Sequence, residues 1–348
     1  MSNLIIQISG GGNTLNSQDS QERIEYYDIA KGIGIFLVVF AHIYTMSTNL
    51  LGDIIYTFHM PLFFLLSGIT TNCNKSFIKY VKQNAYSILV PYYAWCFISF
   101  GYWACIERNF RSGSANIPIL KAFLGIFYGG YNGLAFNYVL WFLPVFFSVK
   151  VLFYIIRKYL PAWGTVCVVL LFSMIGILLL RQELFWGINK TFKYVAFFGI
   201  GSMIKGVDFR KYKFSLIAGI ILFICLDLLY KCKLPSCLEV YMLGTIGCLG
   251  VLLLSASVEK YTKLISIALS RLGKITMGIL VMHGPLYRVL IIVSSKILQI
   301  DVETIRGNLG ISFVLSTLTI LMLVWPINLI NKYMPALLGR KKINNSVT

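Results

Sequence analysis

Apolar residues come in runs near 20 long, broken by short polar stretches rich in lysine and arginine. A run of that length crosses a bilayer core as an α-helix. Ten runs are read, near residues 29–48, 54–72, 86–106, 138–156, 162–180, 192–205, 213–230, 238–257, 275–294 and 310–331. The pattern predicts an all-α integral membrane protein, a bundle of about ten transmembrane helices. The segments between the runs sort by charge. Those on the side of the termini hold 19 Lys and Arg, those on the other side ten, and Lys150 and Arg288 fall inside spans. Positive residues favour the cytoplasmic side, so both termini are expected there.

Composition agrees. The 348 residues are 57% hydrophobic and 13% charged, with a mean hydropathy of +0.76; a soluble domain has about 25% charged residues. The net charge of +18 would suit a nucleic-acid binder, but its distribution by loop is accounted for by membrane topology, and no nucleic-acid partner is expected. Residues 1–22 lack a basic start and a continuous apolar core, so they read as a disordered cytoplasmic tail rather than a signal peptide. Residues 23–335 form one polytopic membrane domain and 336–348 a basic cytoplasmic tail. The outer loop 107–137 contains an interfacial helix and a turn, and the basic inner segment 259–274 has the pattern of a helix lying on anionic lipid. Of eight cysteines, Cys232 and Cys237 flank Lys-Leu-Pro-Ser at a spacing that permits a disulfide. No Cys/His cluster has zinc spacing, so no metal is expected.

The first span, YYDIAKGIGIFLVVFAHIYT, carries Asp28, Lys31 and His42. Eleven residues at about 100° each bring Lys31 and His42 back to one helix face, separated by a rise of roughly 16 Å. Asp28, three residues before Lys31, shares that face. Lys31 alone would read as a snorkelling anchor and His42 alone as a helix-packing hydrogen bond; a stripe of such groups marks a path or site. The turn to the second span is short, which brings His59 to about the depth of His42, next to Pro61. In the ninth span His283 precedes Pro285 and Arg288, and Arg288 is expected to meet a substrate or an acid such as Asp227. Trp141 reads as an interfacial belt residue or a sugar-stacking ring, and Lys150 as a snorkelling lysine.

RIEYYDIAKGIGIFLVVFAH followed by TFHMPLFFLLSG resembles the start of the membrane acyltransferase family 3 proteins, and closely their fucose 4-O-acetylase-like O-acetyltransferase branch. The family's basic residue, ten residues and histidine are here Lys31 to His42, with lysine where arginine is common. LVPYYAW, WFLPVFF and GKITMGILVMHGPL follow in the family's order, and the resemblance spans about residues 23 to 330. It implies a bundle of about ten helices and transfer of an acyl group, often acetyl from acetyl-CoA, to envelope or exported glycans, and so a multi-pass protein of the bacterial plasma membrane. Acyl transfer to a sugar hydroxyl needs a base, and histidine is the usual one. The expectation is therefore an O-acetyltransferase with no bound cofactor and acetyl-CoA as donor substrate. Its acceptor is a carbohydrate or lipid-linked glycan, and membrane lipids surround it. His42 is the base and His59 its partner; Asp28 and Lys31 shape the donor entrance; Trp141, His283 and Arg288 line an acceptor cavity. Direct transfer and a covalent acyl-histidine both fit. The competing class is a transporter or flippase of a lipid-linked sugar, against which the lack of a visible inverted repeat counts mildly.

Overall fold

The computed structural model describes residues 24–44, 50–111, 116–180, 182–232 and 234–341, excluding the side chains of 236 and 237. The expected tail 1–22 lies outside the described residues. Among these residues all regular structure is helical. Seven helices are long and apolar enough to cross a membrane: α1 Glu25–Ile43, α2 Leu50–Thr70, α3 Phe77–Phe110, α5 beginning with a 3₁₀ turn and spanning Tyr138–Tyr159, α9 Leu238–Tyr261, α11 Thr276–Leu298 and α13 Leu309–Tyr333. Between them lie α4 Ile119–Tyr128, α6 Ala162–Leu178, α7 Ile188–Met203, α8 Ser215–Lys231, α10 Lys263–Lys274 and α12 Val302–Gly307. The helices at three of the ten expected spans, α6, α7 and α8, have 17, 16 and 17 residues, short of the roughly 20 that span a bilayer core.

α1 is the axis of the bundle. Its most apolar window is 72% buried, against 33% for α13, and it packs against α2, α9, α10, α11 and α13. In lipid, helices gain little from hydrophobic exclusion and associate through close packing at small residues. Gly32 and Gly273 do this for α1 and α10: a Cβ on Gly32 would strike the Leu269 carbonyl, and one on Gly273 the Asp28 carbonyl. The segment expected to lie on lipid therefore turns Ser266, Ser270 and Gly273 toward α1 and leaves Leu264 and Ile265 exposed. Gly68 of α2 and Gly201 of α7 make the same reciprocal approach, to the carbonyls of Phe198 and Leu65.

Two π turns, at Ala85–Leu89 and Trp103–Glu107, interrupt α3. The first precedes Pro91, which has no N–H for the Ser87 carbonyl one turn back. The second buries Trp103 and Glu107 together. Pro335–Leu338, at the start of the expected C-terminal tail, forms a 3₁₀ turn seated on α3, with Trp95 Nε1 donating to the Leu337 carbonyl over 2.9 Å. Cys232 is a free thiol lying against the Leu228 carbonyl rather than half of a disulfide.

Candidate active site

The start of α1 forms one mouth of the bundle. Asp28 is buried and holds the Lys31 ammonium at 3.0 Å, as their spacing of three residues implies. Both line a cavity of about 510 Å³ with Tyr27, the end of α2, and the 205–210 segment that contributes Lys205 and Arg210. Lys205 donates to the Thr71 carbonyl at 2.8 Å. Arg210 grips Asp208 at 2.9 and 3.0 Å and holds its carboxyl below the usual carboxylate range. Three cations and two acids face this cavity, a charge balance suited to an anion.

The other end of α1 presents His42. Its Nδ1 lies 3.2 Å from the Tyr138 hydroxyl, which lies 2.7 Å from the Tyr287 hydroxyl. The His283 ring stacks on His42 with centroids 5.5 Å apart. His283 Nδ1 faces the carbonyls of Ile279 and Leu280 at 2.8 and 3.0 Å. Carbonyls only accept, so Nδ1 carries a proton; Nε2 is buried without a hydrogen-bond partner. The expected companion, His59, is buried on α2 with Nδ1 2.8 Å from the Ile55 carbonyl. Tyr56 packs edge-on against both His59 and His42, with centroids 5.0 and 6.4 Å away. The histidine stacked on His42 therefore comes from α11.

The sequence Met-His-Gly-Pro in α11 explains how Tyr138 reaches this place. Pro285 supplies no N–H to the Val281 carbonyl one turn earlier. Asn137 Nδ2 donates to that carbonyl at 3.1 Å and to Ser99 Oγ at 3.0 Å. Gly284 leaves room for the Asn137 amide, because a Cβ there would lie 2.5 Å from its oxygen. Asn137 thus pins the segment entering α5 against α11, and the next residue is Tyr138.

Arg288 does not reach Asp227, which pairs with Lys231 one turn along its own helix at 2.6 Å. Glu107, buried by the second π turn, takes Arg288 in a bidentate pair at 2.7 and 3.0 Å. Arg288 also donates to the Phe136 carbonyl at 2.8 Å, and its Nη1 is buried without a hydrogen-bond partner. Arg306 of α12 approaches the carbonyls of His42 and Ile43, each at 3.4 Å. Trp141 has one face under the Lys190 ammonium, 4.3 Å from the ring centroid, which leaves that face unavailable for stacking a sugar. Lys150 is not a snorkelling lysine: its ammonium donates to Ser67 Oγ at 2.9 Å between the rings of Phe146 and Phe198. No group of three or more His, Cys, Asp or Glu with metal-binding geometry occurs among the described residues.

Sequence reasoning missed Asn137, Tyr138, Tyr287 and Glu107. Only the proline and glycine beside His283 hinted at a partner for the freed carbonyl.

No curated protein and no solved structure matches this chain. A family model described as an acyltransferase domain, of the acyltransferase 3 type, matches residues 24–329. That stretch includes both ends of α1 and every side chain of the His42 cluster, and the chain belongs to the membrane acyltransferase family 3.

Proposed function

We propose that this membrane acyltransferase moves acetyl from acetyl-CoA to a hydroxyl of a cell-surface or exported carbohydrate, with His42 as general base. The observation carrying this reading is that α1 holds a cationic cavity at one end and a half-buried histidine, hydrogen-bonded to Tyr138, at the other. CoA is a polyanion on a long, thin arm ending in the thioester. Lys31, Lys205 and Arg210 suit its phosphates, and the roughly 16 Å of helix from Lys31 to His42 suits the arm.

His42 is posed as a base by its hydrogen bond. With the proton on Nδ1 and donated to the Tyr138 oxygen, Nε2 is left with its lone pair. Nε2 takes the proton of the acceptor hydroxyl as that oxygen attacks the thioester carbonyl. The tetrahedral intermediate collapses with cleavage of the carbon–sulfur bond, and the departing CoA thiolate recovers the proton from Nε2. The products are an O-acetyl ester and CoA thiol.

The test is thiol release from acetyl-CoA with envelope glycans as acceptors, using protein in nanodiscs. His42→Ala is expected to lower kcat by about 10²–10⁴-fold, the usual loss when a general base is removed, while CoA still binds at the mouth. Equal turnover in wild type and His42→Ala removes the assignment. Absence of turnover with every glycan, together with sugar movement across a vesicle membrane, moves the protein to the transporter class.

A further inference from the structure

A second cavity, of about 770 Å³, lies at the His42 end of the bundle. Its volume is within the about 300–1,000 Å³ of small-molecule sites. Tyr138 and Tyr287, the hydroxyls that run from His42, are both in its wall. Tyr102 and Tyr131 add two more rings. Rings with polar tips suit a sugar, which has apolar faces and a hydroxylated edge.

The charged part of the wall is unbalanced. Arg111, Arg288 and Arg306 line the cavity, and Glu107 is the one acid among its lining residues. Glu107 is shared, lying 2.7 Å from Arg288 and 3.5 Å from Arg111. The Arg288 Nη1 donor has no hydrogen-bond partner although it is buried, and a buried, unsatisfied donor is costly unless a ligand meets it. Guanidinium groups recognise carboxylate and phosphate through paired N–H donors. The arginines come from the residue after α3, from α11 and from α12, so the excess positive charge is assembled by the fold rather than by a run in the sequence.

We propose that this cavity is the acceptor site and that it selects a sugar bearing a negative charge, a phosphate or a carboxylate. The inference rests on the acyltransferase reading for the word acceptor, while the anion preference rests on the cavity alone. The tyrosines hold the ring beside His42 and the arginines hold the anion. Glu107 fixes Arg288 and Arg111 and keeps the cavity from binding anions too tightly for release.

The experiment uses full-length protein in nanodiscs of neutral lipid, without donor, titrated with glucose, glucose 1-phosphate and glucuronate and read by saturation-transfer NMR. At least one anionic probe is expected to bind about tenfold more tightly than glucose, the effect of one unit charge about 10 Å away at an effective dielectric near 20. Preference for glucose 1-phosphate assigns a phosphate-linked sugar, and preference for glucuronate an acidic sugar. Arg306→Gln should remove most of the preference and leave glucose binding unchanged. Glu107→Gln should increase it, a gain that a merely misfolded variant cannot give. A preference kept in Lys31→Ala is set at this cavity and not at the opposite mouth, whose cations can also hold a phosphate. Equal binding of the three probes, or a preference that follows Lys31 instead of Arg306, overturns the proposal. Because no donor is present, failure of acetyl transfer leaves this result standing, and turnover of neutral glycans without any anion preference overturns this inference alone.

Discussion

The Tyr138 hydroxyl stands between a ring nitrogen of His42 at 3.2 Å and the Tyr287 hydroxyl at 2.7 Å. Its oxygen can accept from His42 Nδ1–H while its proton goes to Tyr287, the pattern that leaves His42 Nε2 basic. Tyr138→Phe keeps the ring and its packing and removes the hydroxyl with its contacts to His42 and Tyr287. The expected outcome is a fall in kcat of about tenfold, less than the ~10²–10⁴ for loss of the base itself, with an unchanged donor KM. A change confined to donor KM would mean that Tyr138 shapes the site without holding His42. At this scale the sequence discloses groups tied by helical period and conceals those tied by tertiary packing. Asp28, Lys31 and His42 were legible because 3.6 residues per turn fixes their shared face, and the ion pair of the first two bears that out. Asn137 was not, because nothing in Phe-Asn-Tyr indicates a carbonyl 144 residues away. His59 was expected at the depth of His42, but depth along a helix does not fix rotation about it, and the ring in contact with both histidines is Tyr56.

Elements place these residues through local departures from regular helix. Pro285 frees a carbonyl that Asn137 occupies, and the π turn at Trp103–Glu107 brings Glu107 inward to meet Arg288. The connection between α4 and α5 is held differently. One Glu183 carboxylate oxygen accepts from the Tyr131 amide at 2.6 Å, the other from the Asn132 amide at 2.9 Å, and Lys190 pairs with it at 3.0 Å. Burial pushes the Glu183 carboxyl up, but the two amides and the ammonium outweigh burial and hold it below the ordinary glutamate value of 4.5. A carboxyl depressed in the folded state stabilises the fold fully above its unfolded pKa, and loses that contribution as pH falls through the folded value. Glu183→Gln should therefore lower Tm at neutral pH, and the gap from wild type should close progressively below about pH 4.5. Thermal unfolding of both proteins across that range measures it, and a gap that persists at low pH would show that the carboxylate's charge is not what holds the loop. A helix and a turn in 107–137 were readable from apolar spacing and the Gly-Gly pair, and Ile119–Tyr128 with a left-handed Gly129 bears out that much. The Glu183 clamp was not, since it joins two loops.

For the whole molecule, the repeated apolar runs made an all-helical membrane bundle legible, while the number of crossings depends on helices that composition alone leaves short. Ile35 and Val38, on the face of α1 between Lys31 and His42, are both buried, so under the proposed reading a donor arm entering at the Lys31 mouth parts helices to reach the histidine. Which mouth faces the cytoplasm follows from how many times the chain crosses. If α6, α7 and α8 do not cross, seven spans put the termini on opposite sides, with α10 outside and α12 inside. If they do, ten spans put both termini in the cytoplasm. Two contacts support an even count. Gly273 of α10 lies against the Asp28 carbonyl at the start of α1, and Arg306 of α12 against the Ile43 carbonyl at its end, so α10 and α12 sit at opposite ends of α1, in the order an even count requires. Charge agrees, because Lys260, Lys263, Arg271 and Lys274 then face the cytoplasm. Reporter fusions at Asn116 and Asn308 should read outside, and fusions at Asp208 and Thr348 inside. Asp208 reads inside under either count, so Asn308 and Thr348 decide. Exchange of those two signals would establish seven crossings and, with α10 then displaced from the Asp28 end of α1, would remove the cytoplasmic entry for the donor.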